Sequence, residues 1–185
     1  MRNKIVHGIC TAEGFHDLLY KRIGVSAYNH FTDTTLTVHG MSQAVRARNK
    51  IDIEPDAVFV SPLVRAIQTA TLMFPNTRVV ALECLKDYPQ HTQNVNQRSR
   101  LSELKLMFPT VDFSELHVEH DGLFGVGCPH LTLSTQKIVA RTMIRDSAFE
   151  KVALVTGSTW LHFFGTNNID EHFKMERCDP VQIYM

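Results

Sequence analysis

The sequence lacks an excess of charge of either sign, and it lacks a long apolar run. Nineteen basic residues balance nineteen acidic ones, so the chain has no broad electrostatic field that would favour nucleic acid or an anionic membrane. No apolar run approaches the roughly 18 residues that are needed to cross a bilayer. The start of the chain, residues 1–4, is not typical of a signal peptide. We therefore expect no nucleic-acid partner and no membrane.

The sequence also lacks the spacings that mark metal and disulfide sites. Its four cysteines lie far apart and form no C-x-x-C pair: Cys10, Cys84, Cys128 and Cys178. We expect them to be free thiols in a reducing, cytoplasmic compartment. The ten histidines form no H-x-x-x-H or Cys/His pattern, so we predict neither a metal site nor a cofactor.

What the chain does contain is an alternation of strand and helix patterns. Its 185 residues, 44% of them hydrophobic, are enough for one domain over residues 1–185 with a sizeable core. The alternation predicts an α/β fold, a three-layer α/β/α sandwich around a mostly parallel sheet. Strands are expected over 4–9, 57–60, 78–82, 151–156 and 181–185. Helices are expected over 14–23, 41–50, 63–73, 98–107, 133–145 and 158–164. The polar segment 87–97 is expected to be a surface loop.

The most informative segment is 61–70, Ser-Pro-Leu-Val-Arg-Ala-Ile-Gln-Thr-Ala. It follows the apolar run 57–60 and opens a helical pattern, so Arg65 is expected in the first turn of a helix. That turn lies at the edge of the sheet where α/β proteins usually build their sites. The planar guanidinium of arginine donates paired hydrogen bonds to oxygens, which suits a phosphate.

These residues resemble the histidine phosphatase superfamily, in its phosphoglycerate-mutase-like branch. Segment 61–70 matches the family pattern S-P-L-x-R-A-x-Q-T-A, and segment 33–44 is similar to D-x-x-L-T-x-x-G-x-x-Q-A. Segment 12–18 resembles the tail of R-H-A-E-G-F-H-N-L, and 152–161 resembles the strand and turn that read V-x-H-G-G-F-L. The resemblance implies the phosphoglycerate-mutase-like fold. It also implies a pocket with a histidine nucleophile, two arginines, a second histidine and a carboxylic acid.

Most of those chemical positions are altered in this chain. By the resemblance, the first arginine and the nucleophilic histidine fall on Cys10 and Thr11. The second arginine is kept as Arg65. The carboxylic acid falls on Cys84, and the second histidine falls on Gly157. Threonine cannot form a phosphohistidine and cysteine carries no positive charge, so only one of five groups is retained.

The leading hypothesis is therefore a catalytically impaired pseudoenzyme, kept as a binding or assembly module. His16 and Ser61 are expected in the pocket wall. Arg65 either binds phosphate or another small anion weakly, or pairs with a carboxylate such as Glu83. A protein partner is expected, without an identity, on the flat α/β surface or on the loop 87–97.

Two alternatives stay open. The first is a divergent phosphatase of small phosphate esters that uses Cys10 or, in a shifted register of Val6-His7-Gly8, His7 as its nucleophile. The second is a thiol-based redox sensor in which Cys10 and Cys84 line the altered pocket together, with a thiol pKa lowered by Arg65. Against the sensor, two buried cysteines also serve as small residues that fill space.

Overall fold

The architecture is a five-stranded sheet with helices on both faces. The computed structural model describes residues 4–89, 92–125, 129–169 and 175–184, with the backbone alone over 129–131. Cys128, His91 and His172 lie outside the residues whose side chains are described. In the sheet the strands follow the order β3-β2-β4-β1-β5, and only β5 runs antiparallel to its neighbour. Their bounds are β1 Ile5–Cys10, β2 Ala57–Val60, β3 Arg78–Ala81, β4 Lys151–Thr156 and β5 Pro180–Ile183.

The two central strands form because they are continuous apolar runs. All four residues of β2 are buried, as are five of the six residues of β4. A strand covered on both faces buries apolar side chains on each side and therefore does not alternate with polar residues. This confirms the predicted mostly parallel sheet, and the bounds of β2 and β4 match the prediction residue for residue.

In the described part of the chain, six α-helices accompany the sheet. They are α1 Phe15–Ile23, α2 Val38–Arg48, α3 Val64–Met73, α4 Leu101–Met107, α5 Pro129–Asp146 and α6 Ser158–Thr166. One apolar core packs α2, α3 and α4 against the sheet face that carries Ile9 and Val58. A second core packs α5 and α6 against the face that carries Val6 and Leu154. These two cores confirm the predicted α/β/α sandwich.

The topology brings several chain segments to one edge of the sheet. The first four strands along this sheet are parallel, so their carboxyl ends meet at the same edge. Thr11 follows β1, Ser61 follows β2 and Gly157 follows β4. In open α/β sheets this edge holds the ligand site.

Candidate active site

Arg65 is the buried centre of the candidate site. It is the second residue of α3, and its side chain is 3% exposed. The guanidinium donates to the carbonyl of Val95 at 2.8 Å and to Oδ1 of Asn96 at 2.6 Å. Oδ2 of Asp87 lies 3.5 Å from Nη2 of Arg65, as an ion pair. The arginine is thus held by the chain's own oxygens.

The carboxylate of Asp87 occupies the space that a side chain at position 157 would take. A Cβ built on Gly157 would overlap all three carboxyl atoms of Asp87. Because Gly157 directly precedes α6, this carboxylate stands at the amino end of that helix, where the helix dipole favours negative charge. At position 157, where the resemblance predicts the second histidine to be lost, an acidic side chain from another segment occupies the space.

The sequence suggested that Arg65 pairs with a carboxylate such as Glu83; Arg65 does lie beside a carboxylate, but it is not that of Glu83. Glu83, in the short 3₁₀ helix Glu83–Leu85, accepts a hydrogen bond from Nε of Arg98 at 2.8 Å. Cys84, expected in the pocket, instead lines a largely apolar surface cavity of about 400 Å³ beside α5. The carboxyl group beside Arg65 is that of Asp87.

The expectation that 87–97 is a surface loop is also wrong in part. Val95 and Asn96 are buried in the short 3₁₀ helix Asn94–Asn96. The amide of Asn96 donates to the carbonyl of Pro89 at 3.2 Å. Two polar side chains of this segment, those of Asp87 and Asn96, therefore serve as partners of Arg65.

A second guanidinium reaches the site from the far end of the chain. Arg177 forms an isolated parallel bridge with Cys10. Its side chain donates to the carbonyls of Thr11 at 3.0 Å and Ala12 at 3.1 Å, and it pairs with Asp17 at 2.8 Å. A guanidinium therefore lies next to Cys10, and it is already paired with the carboxylate of Asp17.

His16 is a buried, neutral histidine next to these charges. Its Nδ1 lies 2.8 Å from the Thr34 hydroxyl, and its Nε2 lies 3.5 Å from the Asp17 carboxylate. Burial, together with the positive charges of Arg65 and Arg177, lowers the pKa of His16 to about 3, although Asp17 acts in the opposite direction. At neutral pH the imidazole is uncharged and keeps a lone pair.

His7 lies away from these groups. It stands in the middle of β1, opposite Ala153 of β4 and Gln182 of β5, three residues before the strand ends at Cys10. At roughly 3.3 Å per residue, three residues place it about 10 Å back from the edge of the sheet. Burial alone lowers the pKa of His7, with no contribution from either arginine.

The thiols of Cys10 and Cys84 are buried and protonated. Burial raises the pKa of Cys10 to about 11, since it outweighs the lowering by Arg177 and Arg65. Burial likewise raises the pKa of Cys84 to about 12. A reactive cysteine needs a thiolate, so the geometry disfavours both a thiol sensor and Cys10 as a nucleophile.

Ser61 and Asp33 shape the backbone around Arg65. The amide of Ser61 donates to the carbonyl of Val155 at 2.9 Å, which ties the end of β2 to β4. One oxygen of Asp33 accepts from the amide of Val64, and the other accepts from the amide of Ser99, each at 2.7 Å. Asp33 thus satisfies the first free amide of α3 and fixes the turn that aims Arg65.

Sequence reasoning missed three residues of this site: Asp17, Asp87 and Arg177. Asp17 lies one residue beyond the predicted wall residue His16, and Asp87 follows the expected acid position closely. Arg177 belongs to a segment with no motif. No group of three histidine, cysteine, aspartate or glutamate side chains able to hold a metal ion occurs in the described part of the chain.

A comparison with models of protein families finds a match in this chain. The model of the histidine phosphatase superfamily (branch 1) matches residues 22–92, which include the Arg65 segment and Asp87. This match confirms the predicted resemblance to the histidine phosphatase superfamily over that part of the chain. No curated protein matches the chain by sequence.

Several solved structures share the fold. The ecdysone phosphate phosphatase of Bombyx mori, solved with tungstate, has a TM-score of 0.63 at 14% identity, covering 94% of this chain and 83% of that one. The phosphoserine phosphatase of Entamoeba histolytica has a TM-score of 0.60 at 17% identity, with 97% and 94% covered. The alpha-ribazole phosphatase of Shigella flexneri has a TM-score of 0.60 at 15% identity, with 95% and 88% covered. Among the helices described here, none is long and apolar enough to cross a membrane.

Proposed function

We propose that this chain is a catalytically impaired, histidine-phosphatase-like protein, kept as a binding or assembly module. The observation that carries the proposal is the carboxylate of Asp87, which fills the space at Gly157 beside Arg65. The family reaction requires a histidine on the phosphorus and positive charge around it. This chain has Thr11 and Gly157 at the two histidine positions.

The electrostatic balance supports the proposal. The positive charge of Arg65 is balanced by the carboxylate of Asp87, and that of Arg177 is balanced by the carboxylate of Asp17. These four side chains sum to zero net charge, whereas phosphoryl transfer depends on preorganised positive charge where negative charge develops. Loss of a single such donor can cost about 3 kcal/mol of transition-state stabilisation.

The test is to trap a phosphoryl-enzyme. The purified chain is incubated with 4-nitrophenyl phosphate or a sugar phosphate, quenched under alkaline conditions and examined by intact mass. We expect no phosphorylated species at any pH between 5 and 8. A phosphorylated chain that persists in His16→Ala would contradict the proposal through a nucleophile elsewhere, such as His7.

A second candidate function rests on His16. Its neutral imidazole lies within the electrostatic reach of both Arg65 and Arg177, and burial raises the pKa of Asp87, as a general acid requires. In that reaction Nε2 of His16 attacks the phosphorus and the bond to the leaving oxygen breaks. Asp87 gives that oxygen its proton. Water then attacks the phosphorus and gives a proton to the Asp87 carboxylate, and the N–P bond to His16 breaks as phosphate leaves.

The same trapping experiment separates the two functions. A phosphoryl-enzyme in the wild type that disappears in His16→Ala would establish the His16 route and defeat the impaired-enzyme proposal. His117→Ala is the matched control, since His117 is exposed and is expected to leave the result unchanged.

A further inference from the structure

The position of the Asp87 carboxylate has the features of an anion site. Its oxygen lies 3.5 Å from Nη2 of Arg65, and its three carboxyl atoms stand over Gly157 at the amino end of α6. The start of a helix and a guanidinium both attract oxyanions, and Oδ1 of Asp87 also accepts a hydrogen bond from the amide of Tyr88 at 2.9 Å. The site is therefore built for negative charge, and the charge that it holds belongs to the chain.

Arg65 does not depend on Asp87 for its position. Its closest partners are the carbonyl of Val95 at 2.8 Å and Oδ1 of Asn96 at 2.6 Å. The guanidinium is accordingly fixed by the 94–96 turn, while the longer contact to Asp87 is the weakest of the three. Removal of the carboxylate would leave the arginine aimed at the same place.

The surrounding charges decide what would replace the carboxylate. With Asp87 present, Arg65, Arg177, Asp17 and Asp87 sum to zero. Without the Asp87 charge the sum becomes +1, and the freed space lies at a helix amino end. A small anion with several acceptor oxygens satisfies both conditions.

We propose that Asp87 is a built-in occupant of an oxyanion site, so that this chain binds inorganic phosphate or a similar tetrahedral oxyanion only when the Asp87 side chain is withdrawn. The contact is autoinhibitory: a movement of the turn at 87–89 opens the site. This inference rests on the proposed function, since it assumes that the bound anion is held and not transferred.

The experiment is a calorimetric titration of inorganic phosphate into the full chain at pH 7. We expect Asp87→Ala and Asp87→Ser to bind phosphate at least about tenfold more tightly than the wild type, because removal of a like charge beside the ligand strengthens binding. Asp146→Asn is the matched control. It removes the same charge from an exposed carboxylate that pairs with Arg145, and it should bind like the wild type.

The gain in phosphate affinity must also depend on Arg65. We expect the double variant Asp87→Ala/Arg65→Ala to lose this gain in affinity. Equal binding by the wild type and the folded Asp87 variants would overturn the inference, as would a gain that survives the loss of Arg65. Asp87→Ser keeps the test valid where Asp87→Ala fails to fold. Turnover of phosphate esters by the wild type would contradict the proposed function. The inference about Asp87 would still be decided by the phosphate affinity of the Asp87 variants relative to that of the wild type.

Discussion

At the scale of single residues, the site depends on two positions, 87 and 157, because the Asp87 carboxylate lies where a side chain at position 157 would lie. Gly157 has an ordinary φ of −75°, so its backbone accepts any residue. What excludes a larger residue is the carboxylate of Asp87. The absence of a side chain at Gly157 therefore leaves room for the carboxylate of Asp87.

This pairing predicts the effect of Gly157→Ala. We expect the new methyl group to displace the Asp87 carboxylate from its position and to lower the free energy of unfolding by about 1–3 kcal/mol, the usual cost of overpacking. In an Asp87→Ala background the same substitution is expected to cost much less. Urea denaturation of the two single variants and the double variant measures the coupling. Costs that simply add would show that the two side chains do not share the space.

Arg65 is predicted to matter more for stability than for catalysis. Arg65→Ala leaves the Asp87 carboxylate and the Asn96 amide oxygen without their buried partner, and breaking a buried ion pair typically costs about 3–5 kcal/mol. We expect Asp87→Asn to recover part of this loss in the double variant, because it removes the stranded charge. The measurement is the free energy of unfolding in urea for all three variants. A neutral Arg65→Ala would contradict the contacts described above.

His16 is predicted to make the fold sensitive to acid. Its pKa is about 3 in the folded chain, against an ordinary value of 6.5. Below about pH 6.5 the unfolded chain therefore takes up a proton that the folded chain does not. The free energy of unfolding should fall as the pH falls from 6.5 towards 3. Above pH 6.5 this contribution is constant.

The test compares His16→Gln with the wild type across pH 4–7.5 by thermal or urea unfolding. We expect the difference in stability between the two proteins to shrink as the pH falls, because glutamine takes up no proton. Exposed His117→Gln should follow the wild type. A difference that is independent of pH would mean that folding does not shift the pKa of His16.

At the scale of elements, two helical glycines have opposite roles. A Cβ on Gly40, in α2, would overlap the backbone carbonyl oxygen of Glu13, which cannot swing aside. A Cβ on Gly165, in α6, would meet nothing within 4 Å. The first glycine is required for α2 to pack against the loop that leads into α1. The second has no such role.

We therefore expect Gly40→Ala to lower the free energy of unfolding by about 2–4 kcal/mol through forced displacement of α2. Gly165→Ala is its matched control and should stabilise the protein by about 0.5–1 kcal/mol, since alanine loses less backbone entropy in a helix. Thermal unfolding of both variants provides the measurement. A stabilised Gly40→Ala would show that α2 has room to move.

The elements were predictable where the signal is local. The apolar runs fixed β2 and β4, because a buried strand leaves an uninterrupted pattern. Helix α2 begins at Val38, three residues before the predicted start, because the Thr37 hydroxyl accepts the amide of Gly40. The polarity of segment 87–97 predicts a surface loop, but Asn96 is buried and accepts a hydrogen bond from Arg65. A sequence pattern shows polarity and does not show which polar groups have a buried partner.

At the scale of the whole molecule, the site depends on contacts between distant parts of the chain. Arg65 was recognisable because its motif is contiguous. Arg177 reaches the site through a bridge to Cys10, and its partner Asp17 lies 160 residues earlier. Asp87 lies against Gly157, which is 70 residues later in the chain. Such meetings follow from the sheet order, which one sequence does not specify at the level of side chains.

The most direct test of the account is steady-state release of phosphate from 4-nitrophenyl phosphate between pH 5 and 8. It is run on the wild type, on Arg65→Lys, which keeps the buried charge, and on His16→Ala. The account predicts that all three proteins release phosphate at the same background rate. Turnover by the wild type well above that of either variant would show that Arg65 or His16 serves catalysis, and would contradict the claim that this pocket is closed by its own carboxylates.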